Sequence, residues 1–263
     1  MYKLSLGLKS NHSPVIQFNN EEKDKINSSI DQLIKNQKLR WSFNLLNKNF
    51  KALFSKTDQE LKTLSLNPEY TWEQLENVTF EVNRNLLNYL ASQNTYLDHA
   101  RFYLSRTFGK ESEQLKLFDK KTSELFDNYF AYRFLYKMRN FTVHCGFSLC
   151  SITIQKSSQQ VTFIPKFMIS ELMDGFDWGN IVKQDLAEIK DDFSAFDVIH
   201  QSFECFKQLN DCLSSILEKL NYEKTKIVLD TLRISKEDLS QYCFLIEYEN
   251  ETKIGEIPTH YFK

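Results

Sequence analysis

Phe130-Ala131-Tyr132-Arg133-Phe134-Leu135-Tyr136-Lys137-Met138-Arg139-Asn140-Phe141-Thr142-Val143-His144 is the stretch on which the fold turns. Phe130, Phe134, Leu135 and Met138 recur three or four residues apart, the period of a helix burying one face. Leu115, Phe118, Leu125, Phe126 and Tyr129 extend the same surface upstream, so the spacing predicts one helix over about 112–144. So many aromatics on one stripe read as core, not as a platform for stacking bases. Arg133, Lys137 and Arg139 gather near the C-terminal end, where cations also suit the helix dipole.

Further helices are predicted on both sides. Asn19 or Asn20 can cap a helix with Glu21 and Glu22 in its first turn. Ile26, Ile30, Leu33 and Ile34 then keep helical spacing, which continues through Phe43, Leu46, Phe50 and Leu53. Pro68 marks a boundary. Thr71-Trp72-Glu73-Gln74 fits a capping box, and helical sequence runs from there to Gly109, a natural stop. On this helix Leu86, Leu90 and Leu97 mark an apolar side. Arg84, Asn88, Ser92, Thr95 and His99 step by three or four residues as a polar stripe. That stripe reads either as a solvated face or as one wall of a polar cleft. A last long helix is expected over about 193–221, from Phe196, Ile199, Phe203, Phe206, Leu213, Ile216 and Leu220.

Between the helices the period changes to two. Tyr2, Leu4, Leu6 and Leu8 alternate as a strand, and Val15–Phe18 can return as a second. Ser10–Pro14, with His12, makes the turn. Cys150, Ile152 and Ile154 followed by Val161–Phe163 predict a hairpin near 148–164, with a small helix near 180–190. In the tail, Ile227–Leu229 reads as a strand and Ser235–Gln241 as a short helix. Cys243–Tyr248 with Lys253–Ile257 reads as a hairpin around Glu249-Asn250-Glu251. The expected fold is mainly α: an antiparallel helical bundle with a β-hairpin after the Arg139–His144 segment and small β elements from both termini. The expected divisions are 1–70, a strand and helix packing on the core; 71–222, the helical core; and 223–263, a small α/β appendage.

Composition limits the function. Of 263 residues 41% are hydrophobic and 14% aromatic, a globular chain and not a disordered one. Only 6 Gly and 4 Pro favour long helices. The net charge of −2 argues against coating nucleic acid through an overall field, and leaves room for a local basic cleft. No apolar run approaches the roughly 20 residues of a membrane span, and a cytoplasmic location is the expectation. The five cysteines form no C-x-x-C pair and read as reduced, mostly buried thiols. No metal site and no cofactor is expected, since the phosphate-binding and catalytic motifs with fixed spacing are missing.

What remains is Arg139-Asn140-Phe141-Thr142-Val143-His144. The Arg can hold a phosphate and stabilise charge developing on it. The His can move a proton near neutral pH, and the Asn can position an oxygen. On an ideal helix Arg139 and His144 lie roughly 140° apart. They would converge if the helix ended or bulged between them, if the Arg reached around, or if a second copy completed the site. The same residues, on chemistry alone, read more simply as an Arg closing a helix and a His opening a turn.

The segment resembles the signature of the HEPN superfamily (higher eukaryotes and prokaryotes nucleotide-binding), an Arg followed by a polar residue and, a few positions on, a His. In bacterial abortive-infection-like groups the stretch reads Arg-Asn-aromatic-x-x-His with a nearby Gly, which Phe141 and Gly146 match. Asn83–Leu90 and Thr95–His99 are similar to the helix preceding the motif in those groups, and the resemblance covers about 75–221.

It implies a helical bundle that dimerises with its motifs facing across a cleft, acting as a metal-independent endoribonuclease on RNA, tRNA and mRNA being candidate targets. Arg139, Asn140 and His144 would be catalytic; Arg84, Asn88, Thr95, His99, Arg133 and Lys137 would bind RNA. An antitoxin or defence-system partner, and a role as a toxin or in phage defence, are implied too. Non-catalytic members that bind a nucleotide or a protein give the alternative.

Overall fold

The computed structural model describes residues 2–8, 15–67, 69–145, 151–156, 161–232, 242–248 and 251–255. The chain is mainly helical. Its elements in order are β1 (Tyr2–Leu8), β2 (Val15–Phe18), α1 (Asn20–Leu66), α2 (Trp72–Phe108), α3 (Glu113–Asn128), α4 (Phe130–His144), β3 (Ser151–Lys156) and β4 (Val161–Phe167). There follow α5 (Ile169–Leu172), α6 (Asn180–Glu188), β5 (Phe193–Ser194), α7 (Ala195–Leu232), β6 (Tyr242–Tyr248) and β7 (Glu251–Gly255). The expected Ser10–Pro14 turn, the Ser235–Gln241 helix, the Glu249–Asn250 turn and Gly146 lie outside the described residues.

Contacts divide the chain into Met1–Trp41 with Ser214–Lys263, and Ser42–Leu213. These divisions fall inside α1, after Trp41, and inside α7, after Leu213. Neither helix contains a Gly or Pro to mark the passage.

In the first unit, β1 and β6 form the centre of an antiparallel sheet ordered β2-β1-β6-β7. Leu4 pairs with both Ile16 and Ile246, and Ile246 in turn pairs with Lys253. The terminal strands thus close on each other. The N-terminus of α1 has a reciprocal cap, with Glu22 N donating to Asn19 Oδ1 and Asn19 N to Glu22 Oε2, both at 2.9 Å. Ile26, Leu33 and Val228 are buried, as are Ser29 and Asn36, whose amide donates to Asn221 Oδ1. Residues 227–229 are helical, not a strand. Val228 and Thr225 keep helical spacing with Leu217 on a buried stripe, and Thr231 Oγ1 bonds back to Ile227 O at 2.7 Å.

In the second unit, α1 and α2 run antiparallel. Phe43 meets Tyr96 and Phe50 meets Tyr89, so numbers rise on one helix as they fall on the other. The first part of α7 joins them: Phe203 stacks on Phe50 at 3.9 Å, and Ser202 accepts from Gln93 Nε2 at 2.9 Å. The capping box at Thr71 and the C-cap at Gly109, with φ +100°, bound α2 where the sequence places them. The antiparallel hairpin β3–β4, extended by β5, covers Leu61, Leu64 and Leu75 with Phe163, Ile152 and Ile154.

The expected helix over 112–144 is two helices. Tyr129 is extended, at φ −125° and ψ 109°. Asn128 Nδ2 donates to Glu124 O at 2.7 Å and so competes for a carbonyl of the last turn of α3. Arg133 Nη1 takes the carbonyls of Phe126 and Asp127, each at 3.2 Å. Its Nε and Nη2 hold both oxygens of Asp185 on α6, at 2.5 and 2.7 Å. One guanidinium thus caps α3 and ties α4 to α6. Arg133→Met should lower stability by about 2–4 kcal/mol, because Asp185 and two carbonyls lose their donors; urea denaturation of the purified chain measures it.

Candidate functional site

The geometry of Arg139–His144 follows from what α4 buries. Phe134, Leu135 and Met138 are fully buried, and Phe141 nearly so. Phe141 stacks on Trp178 at 5.4 Å and meets Phe176 edge-on at 5.4 Å. Phe134 also stacks on Trp178 and meets Phe167 and Phe193 edge-on. Trp178 is anchored in turn, its Nε1 donating to Leu172 O at 2.6 Å. With this face pinned, Tyr136, Arg139, Val143 and His144 must face outward, and all four are exposed.

The helix stays regular through the motif. Cys145 N donates to Phe141 O at 2.8 Å and Thr142 Oγ1 to Arg139 O at 2.7 Å. Neither a helix end nor a bulge brings Arg139 and His144 together, so they keep the separation of about 140°. Asn140 lies between them on the helix surface, about 100° from Arg139 and 40° from His144. Its Oδ1 accepts from Arg139 Nη1 at 3.2 Å. Among the described residues no carboxylate pairs with Lys137, Arg139 or His144. The Arg and the amide are therefore in contact on the outer surface of α4, and the imidazole lies on the far side of the amide from the Arg.

Lys137 is half-buried on the same face, about 20° from His144. Its Nζ lies 4.0 Å from the place a Cβ on Gly179 would take. Gly179, at φ +72°, caps the N-terminus of α6 and donates its N–H to Asp177 Oδ1 at 2.9 Å. Lys137 thus stands at the positive end of a helix, where an anion is favoured.

Of the other residues singled out by sequence, Arg133, Arg84 and Thr95 have side-chain partners of their own. Arg133 caps α3 and pairs with Asp185, its side chain only 11% exposed. Arg84 is exposed and bonded to Glu81, with Nη2 to Oε2 at 2.6 Å. This contact holds the Glu81 carboxyl below its ordinary range. Asn88 is exposed, and its carbonyl accepts from Asn49 at 3.2 Å. Thr95 is half-buried and bonds back to Ala91 O at 2.9 Å; His99 is exposed. Ser92 turns inward and bonds Tyr89 O, so the polar stripe on α2 is interrupted. Among the described residues no hydrogen bond or ion pair joins these α2 side chains to Arg139, Asn140 or His144.

Tyr136 and Val143, exposed by 39% and 58%, flank Asn140 on the same face. Sequence reading counted the aromatics of α4 as core and passed over both. Their helical phase, shared with Asn140, was the available signal. Cys145 follows His144 directly and is exposed. Among the described residues no three His, Cys, Asp or Glu side chains gather as metal ligands, and no helix is long and apolar enough to cross a membrane. No family model, curated protein or solved structure matches the chain.

Thiol chemistry reports the exposure of this face. Burial raises the Cys205 thiol to about 11, so it stays protonated at pH 8 and unreactive. Brief native treatment with iodoacetamide at pH 8 should alkylate Cys145 and leave Cys205 unmodified, as read by peptide mass spectrometry.

Proposed function

We propose that the chain is a metal-independent endoribonuclease of HEPN type, working as a homodimer in phage defence or as a toxin. The observation that carries this reading is the pair of exposed side chains Arg139 and His144, with half-buried Asn140 between them, free of carboxylate partners among the described residues. His144 takes the proton of a ribose 2′-hydroxyl. The 2′-oxygen attacks phosphorus, the bond to the 5′-oxygen breaks, and a protonated imidazole returns a proton to that leaving oxygen. Arg139 stabilises the negative charge gathered on the non-bridging oxygens, and Asn140 orients the phosphate. The products are a 2′,3′-cyclic phosphate and a 5′-hydroxyl.

Because Arg139 and His144 diverge on a regular helix, the reading places the reacting phosphate between two copies of α4. Arg139 of one copy works there with His144 of the other. Tyr136 and Val143 supply apolar surface for such a contact, and Lys137 supplies charge for a flanking phosphate. An antitoxin or another defence component would then be the partner that restrains the enzyme. The alternative is a non-catalytic module that binds a nucleotide or protein through the same face, and the divergence of Arg139 and His144 within one chain favours it.

Incubation of the purified chain with total RNA, followed by analysis of fragment ends, separates the two. Arg139→Ala and His144→Ala should each reduce cleavage by about 10²–10⁴-fold and leave the melting temperature unchanged, since both side chains are exposed. Equal cleavage by wild type and both variants, or none by any under conditions that release toxicity in cells, would favour the binding module.

A further inference from the structure

A second surface stands at the corner where α1 meets α2. From Thr63 to Asn83 the chain carries four glutamates and neither lysine nor arginine. Glu81 is bonded to Arg84. Glu69, Glu73 and Glu76 are exposed, with no ion-pair partner among the described residues. Among them stand the largest exposed apolar side chains of this region: Leu66 at 85%, Trp72 at 80% and Phe80 at 61%.

The core of the corner is complete without these three. Tyr70, Leu75 and Val78 turn inward onto Leu61, Leu64 and Phe163, with Tyr70 edge-on to Phe163 at 5.1 Å. Trp72, Glu76 and Phe80 lie four residues apart, so they form one stripe over two turns of α2, about 12 Å long. Covering Trp72 and Phe80 would remove roughly 300 Å² of side chain from water, the scale of patch that marks an interaction site. The helix dipole accounts for Glu73 in the first turn. It does not account for Glu69, outside the helix, or for Glu76 beyond the first turn.

We propose that this corner docks a basic segment of a partner protein, one in which lysines or arginines alternate with apolar anchors. Charge selects the occupant. The carboxylates that would pair with lysine or arginine repel RNA and anionic lipid surfaces. A two-fold contact with a second copy would set the same glutamates against each other. An arginine of the partner could also lie over the indole of Trp72. The surface is distinct from the Arg139–His144 face, and the proposal does not depend on catalysis there.

The test titrates the full chain with a fluorescently labelled helical peptide of leucine and lysine, and with its leucine and glutamate counterpart. The basic peptide should bind the wild type and should release as salt rises. Trp72→Ala with Phe80→Ala, and Glu69→Gln with Glu73→Gln and Glu76→Gln, should each weaken binding at least tenfold. Arg139→Ala with His144→Ala should bind as the wild type does. All the substituted side chains are exposed, and circular dichroism verifies that the variants stay folded. Unchanged binding by either corner variant, or equal binding of the acidic peptide, would overturn the proposal. Sedimentation run in parallel supplies one more contrary outcome: a wild-type dimer made monomeric by Trp72→Ala with Phe80→Ala would assign the corner to a second copy.

Discussion

The aromatic contact between the inner face of α4 and Trp178 is the constraint on which the Ser42–Leu213 unit depends. Phe134 and Phe141 stack on one indole ring, Phe176 meets that ring edge-on, and Phe167 and Phe193 close on Phe134. Each such pair is worth about 0.5–1.5 kcal/mol beyond its buried area, so the rotation of α4 about its axis is fixed several times over. That rotation decides which side chains are left for chemistry. Turning α4 by a third of a turn would bury Asn140 and expose Phe141, which the packing forbids.

Arg133 adds the second constraint. Its bonds to the end of α3 and to Asp185 act together with the Asn128–Glu124 contact to break the strongly helical sequence from Glu113 to His144 at Tyr129. The break lets α4 leave the direction of α3 and reach α6, so that Trp178 and Gly179 come against its inner and lateral faces. A residue that sequence suggests as an RNA contact thus serves to place the residues around it.

Much of the fold was legible because local signals agreed with tertiary packing. Thr71 and Gln74 mark the start of α2 and Gly109 its end. The alternation of Tyr2–Leu8 and Cys243–Tyr248 gives strands whose pairing then joins the two termini. The misreadings share a cause. The break at Tyr129 depends on side-chain bonds of Asn128 and Arg133, and Arg133 is held by Asp185, 52 residues away and invisible to periodicity. Ile227–Leu229 has the β-branched composition of a strand, but Val228 continues the buried stripe of a helix already under way. The passage from one unit to the other inside α1 leaves no Gly or Pro to read.

For the candidate site, the motif names residues but not their convergence, because a hexapeptide on a helix fixes phase and not partners. The proposed catalysis therefore requires Arg139 and His144 to act from opposite copies, and co-purified mixtures of two inactive variants test that most directly. A dimer of one Arg139→Ala chain and one His144→Ala chain keeps one intact site made from both copies. An equal mixture should regain about a quarter of wild-type RNA cleavage, since half the dimers are mixed and each has one of two sites. A mixture as inactive as either variant alone, with mixed dimers shown to form, would contradict the account.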